Sequence, residues 1–205
     1  MKEAEAKVER KKIYPAKRFA RGAMVCPACR YVLEPSAESC PKCGFSGHTV
    51  VTKFPFSPPP LEVVLDPNSF LTKEEADRIR LKARKMKKRL PQVNFLNCLV
   101  PMGEEVDLRE FGFWLLNGGE MAGGDSAKSF ALLLLIDPKS RMVSVTVGYG
   151  LEALTTDAEW LDICEACRDL LSREKYEEGI TRFMNLVSDF LVDRALELKK
   201  ETKKK

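Results

Sequence analysis

Two sets of residues have the types and spacing to do chemistry. The first is four cysteines, set in two Cys-x-x-Cys knuckles, Cys26-Pro27-Ala28-Cys29 and Cys40-Pro41-Lys42-Cys43. Thiolates spaced this way can meet on one tetrahedral ion, and zinc suits four soft ligands without redox change. Iron in a rubredoxin-like site would accept the same donors. The metal would supply folding free energy that so short a segment cannot obtain from a core. Four thiolates close the coordination sphere, so the expected role is structural or protein docking, not catalysis. The second set is a corner, Gly148-Tyr149-Gly150-Leu151-Glu152, followed by Asp157. Its glycines allow a sharp turn and close approach to a bound group. Two acids, Glu152 and Asp157, follow the bend, and ligands gather at strand-to-helix corners of α/β folds.

The elements that must position these groups can be read from periodicity and caps. Residues 1–21 form a charged tail, and residues 22–48 carry the four cysteines among turn residues. Residues 49–60, ending in Phe54-Pro55-Phe56-Ser57-Pro58-Pro59-Pro60, read as a proline-rich extended linker. The main domain spans 61–198, with 199–205 as a second basic tail. Thr72-Lys73-Glu74-Glu75 is a capping box that starts a helix, with Ile79, Ala83, Met86 and Leu90 on one apolar face. Val93 to Val100 reads as a strand, and Asp107 starts a second helix. Phe130 to Ile136 is a continuous apolar run, as expected of a strand buried on both faces. Asp137-Pro138-Lys139-Ser140 turns it into an alternating strand, which makes a hairpin. Thr156-Asp157-Ala158-Glu159 caps another helix, and a last one carries Ile180, Phe183, Met184, Val187 and Leu191. The order α-β-α-β-β-α-α predicts an α/β fold with a mixed sheet between helical layers.

Composition limits the function classes. The chain has 205 residues and 44% hydrophobic content, enough for a buried core. No apolar run reaches the roughly 18 residues of a membrane span, and the N-terminus lacks a signal peptide's apolar centre. A cytoplasmic protein is expected. The net charge is +4; the tails 1–21 and 199–205 carry +5 and +4, which leaves −5 on the body. Disulfides are not expected in that compartment. Cys98, Cys164 and Cys167 fall on apolar faces and read as core, because a reactive thiol needs exposure and a lowered pKa.

Taken together, these residues resemble two known families. The four-cysteine module is similar to a zinc ribbon, with Arg30 standing where a glycine is usual. Residues of about 61–195 resemble the TPM domain family. The match is carried by Arg141 to Glu152, then Leu154, Thr156 and Asp157, by Leu65-Asp66, by Leu132 to Ile136, and by Tyr176, Gly179 and Ile180. The resemblance implies a three-layer α/β/α sandwich, divalent-cation binding and acid phosphatase activity. Asp66, Glu152 and Asp157 would be the acids carried over. Pro67 and Ser129-Phe130-Ala131 stand where the family often has further oxygen donors. Each acid also has a structural use: Asp157 complements a helix dipole, Glu152 can pair with Arg141, and Asp66 can cap a turn.

The preferred expectation is a non-catalytic binding or adaptor protein that engages a protein partner through the ribbon. A metal-dependent phosphatase acting at the Gly148-Tyr149-Gly150 corner is the alternative. A further one is nucleic-acid binding through the ribbon, the tails and the basic helix 78–89, whose cations otherwise form a solvated face.

Overall fold

The computed structural model describes residues 25–34, 37–103 and 106–202; the tail of residues 1–21 and Lys203 to Lys205 lie outside them. Strand β3 (Ala131–Asp137) is buried along its whole length. Leu132, Leu134 and Ile136 face one helical layer, and Ala131, Leu133 and Leu135 face the other. The sheet order is β1-β2-β3-β4, where β1 is Val64–Leu65, β2 is Asn94–Leu99 and β4 is Met142–Val147. The first three strands are parallel, and β4 returns antiparallel through the predicted hairpin, with Leu134 opposite Val145. The sheet is therefore mixed and lies between helices, as expected.

The turn of that hairpin is fixed by Asp137. Its buried carboxylate accepts hydrogen bonds from the amides of Lys139 and Ser140 and from the Ser140 hydroxyl. This side-chain-to-backbone pattern favours a tight turn.

One layer holds α2 (Lys73–Lys87), α6 (Asp157–Glu165), α7 (Arg168–Ser172) and the long α8 (Tyr176–Thr202). Ile79, Ala83 and Met86 of α2 meet Ile180, Phe183 and Val187 of α8 in one core. Both predicted capping boxes form, at Thr72 with Glu75 and at Thr156 with Glu159. Helix α8 runs through Lys199 and Lys200, which were expected to belong to a tail.

The other layer is α3 (Leu108–Gly118), whose Gly112 sits so close to the sheet that an added Cβ would lie 2.8 Å from Leu135. The short α4 (Gly124–Lys128) then leads into β3. Helix α1 (Gly47–Lys53) occupies a region expected to be linker from residue 49. It starts with Ser46 and Thr49 capping each other, a weaker sequence signal than the usual acidic partner. Past α1, Phe54 meets Phe111 of α3 edge-on and Trp114 at a tilt, with ring centroids 5.6 and 5.3 Å apart. Pro58 covers Gly118, so this run lies against α3 and is not a free spacer. The cysteine module joins the same core, with Phe45 edge-on to Phe113.

The corner follows from packing. Gly148 donates its amide to the Ala131 carbonyl and Gly150 donates to that of Ser129, both at 2.7 Å. A Cβ on Gly148 would lie 2.0 Å from the Lys128 carbonyl oxygen. We predict that Gly148→Ala destabilises the protein by about 3 kcal/mol, because backbone has to move. Gly103→Ala, with nothing within 4 Å of the new methyl, should stay within about 0.5 kcal/mol. Equilibrium denaturation of both variants checks this.

Candidate functional site

The four cysteines meet as the spacing requires. Their sulfurs lie within 4.8 Å of one another, with Cys26 to Cys43 at 3.7 Å and Cys29 to Cys40 at 3.6 Å. Four sulfurs about 2.3 Å from a central zinc would be separated by about 3.8 Å, so the donor set fits that ion. The separations are far beyond the roughly 2.05 Å of a disulfide. Two matching turns build the site. Arg30 donates its amide to the Cys26 carbonyl at 2.9 Å, and Gly44 donates to that of Cys40 at 2.8 Å. Burial pushes the Cys26 thiol up to about 12. Burial also acts on Cys40, but hydrogen bonds from the amides of Cys43 and Lys42 and with the Cys29 and Cys43 thiols together outweigh it and bring that thiol to about 7.

The fifth residue of each knuckle is left-handed. Gly44 has φ +74° and Arg30 has φ +61°. Glycine adopts this freely, whereas a residue with a Cβ loses about 1–2 kcal/mol. The Arg30 side chain leaves the ribbon and forks onto Asp157, its Nε donating to Oδ2 at 2.6 Å while Nη2 pairs with Oδ1. Glu152 lines the same groove. Burial raises its pKa, and the nearby Arg30 charge opposes that rise.

The three acids do not come together. Glu152 and Asp157 lie at the end of β4, beside the start of β3. Asp66 follows β1, at the other edge of the sheet. Leu65 and Gly148, which lead into Asp66 and Glu152, sit four residues apart along the ladder and three strands apart across it. That is roughly 13 Å along and roughly 14 Å across. Both Asp66 carboxylate oxygens accept backbone amides, from Phe70 at 3.0 Å and Leu71 at 2.7 Å. Arg141 immediately precedes β4 at its far end, so the cation near Glu152 is Arg30 and not Arg141.

A family model described as the TPM domain matches residues 64–190. The chain belongs to the TPM domain family. Among solved structures, the N-terminal domain of a P. gingivalis protein is 19% identical, with a TM-score of 0.50, covering 72% of this chain and 90% of its own. The N-terminal domain of the cg2496 protein of Corynebacterium glutamicum is 20% identical, with a TM-score of 0.47, covering 62% and 78%. The first likeness supports the fold alone. No curated protein matches the chain.

Within the TPM domain, the carbonyls of Ser129 and Ala131 are taken by the corner's own amides. Asp125, which also lines the groove, lies within ion-pair range of Lys128 at 3.8 Å. The other cysteines behave as core groups. Burial pushes Cys98 and Cys164 up to about 12 and also raises Cys167. The Arg30–Asp157 pair was the main feature hidden from sequence reasoning, since 127 residues separate the partners. Its one trace was an arginine at a glycine position.

Glu152 gives a pH test. Its pKa is raised in the folded chain, so its protonated form is favoured there. The ionised form costs stability above the folded pKa, and that cost disappears as pH falls below the unfolded value. Glu152→Gln should raise Tm by about 1–2 °C at pH 7 and leave it unchanged near pH 4. Thermal melts at both values check the sign.

Proposed function

We propose that this chain is a zinc-ribbon TPM protein acting as a non-catalytic binding or adaptor protein. Zinc is structural, and the ribbon is the docking module for a protein partner. The Arg30–Asp157 ion pair carries this reading. The acid that would complete a divalent-cation site is already neutralised from within the chain. Asp66 adds nothing there, since it is remote and holds a turn. Any Ca²⁺ or Mg²⁺ bound between Glu152 and Asp157 would have to displace the guanidinium, which makes it a weakened site.

The second reading is a metal-dependent phosphatase acting at Gly148, Tyr149 and Gly150. It draws support from Glu152, because desolvated carboxylates with raised pKa values gather at functional sites. Nucleic-acid binding by the ribbon and the basic helix together is less well supported. The ribbon packs on the α3 side of the sheet and α2 on the other, so the two cover opposite faces of it. Among the described residues no helix is long and apolar enough to cross a membrane.

The adaptor reading expects one zinc per chain by metal analysis, no saturable calcium binding up to millimolar concentration, and no phosphatase turnover above background. Turnover that disappears in Asp157→Asn and Glu152→Gln would favour the phosphatase instead. Absence of zinc would refute the ribbon.

A further inference from the structure

We infer that Arg30 is a positioning residue that couples the ribbon's metal site to the TPM corner. A filled site holds the first knuckle closed, the knuckle holds Arg30 in its left-handed backbone, and the guanidinium closes the corner by binding Asp157 beside Glu152. The coupling rests on the zinc-ribbon reading above and adds to it a link between two sites on different modules.

Three observations carry it. Gly44 shows that the fifth position of a knuckle needs only a glycine, yet the first knuckle places an arginine there at φ +61°. Backbone strain of this kind persists where the side chain is used. Second, that side chain makes a two-pronged contact with Asp157. Paired N–H donors on one carboxylate are a directional arrangement that a mobile surface lysine would not reproduce. Third, the conformation that aims Arg30 is set next to the metal ligands, with its amide on the Cys26 carbonyl and Cys29 as its neighbour. Four thiols without an ion leave so small a module little to hold it folded. Loss of metal therefore releases Arg30, and release of Arg30 removes the cation that binds Asp157 and faces Glu152.

Coupling of this kind is reciprocal. Whatever zinc contributes to holding Arg30 on Asp157, Asp157 contributes to holding zinc. The effect is small, because the two side chains remain 38% and 59% exposed and solvent screens such pairs.

The test is a zinc titration of the full-length chain against a chromophoric chelator. Asp157→Asn should weaken zinc about 3- to 5-fold, as expected for a partly exposed pair, although residue 157 is not a ligand. In an R30G background the same substitution should change nothing, because the connecting side chain is gone. Amide exchange over residues 148–157 should accelerate more when zinc is stripped from the parent chain than when it is stripped from the R30G variant, because the shared core is uncovered in both and the Asp157 contact is lost only in the parent. An unchanged zinc affinity in Asp157→Asn overturns the coupling, as does an equal loss in the R30G background, which would report general destabilisation. A parent chain that binds no zinc refutes the ribbon itself, and that result is visible before any variant is compared.

Discussion

Strand β3 has no side facing water, and most of the architecture answers to that fact. All seven of its residues are buried, so both faces of the sheet need a helical cover. Helices α2, α6 and α8 provide one cover and α3 the other. Layered packing of this type is the ordinary solution for a strand that is apolar from Ala131 to Ile136. The α3 side is the thinner of the two, and Gly112 draws that helix close to Leu135. Ribbon residues and Phe54 extend this layer, entering one core with Trp114, Leu133 and Leu135. The cysteine module is thus part of the fold's hydrophobic cover.

Burial of β3 also explains the corner. Its first residues must meet the end of β4 at close range, and they do so through backbone. Gly148 and Gly150 donate to Ala131 and Ser129, and side chains at either glycine would strike carbonyl oxygens. Neither glycine has a positive φ. The glycines were expected to admit a ligand; here they admit a neighbouring segment of the same chain. A glycine-rich corner can therefore persist as a packing device whether or not it binds anything.

How much could be read in advance follows from the range of each interaction. Local signals translated well: the Thr72 and Thr156 boxes, the apolar run of β3 and the hairpin at Asp137 all formed where expected. Each depends on residues close in sequence. The four-cysteine cluster was legible because two short knuckles impose most of its geometry. Helix α1 escaped because its cap pairs Ser46 with Thr49 and its body holds Val50, Val51 and Thr52, all weak helix formers. The convergence of Asp66 with Glu152 was expected from a shared family pattern, but sheet order decides it. Opposite edge strands keep them apart.

The charge arrangement at the corner has its own logic. A divalent cation of the calcium type looks for six to eight oxygens at short range. This corner offers two carboxylates, while the Ser129 and Ala131 carbonyls are committed to backbone hydrogen bonds. A guanidinium needs far less. It carries one charge, presents its donors in a plane, and is satisfied by a single carboxylate taken two-pronged. It also arrives tethered, so no free ion has to be recruited from solution. Asp157 sits in the first turn of α6, where the helix dipole already favours its negative charge. Asp157 is thus matched by the arginine that binds it.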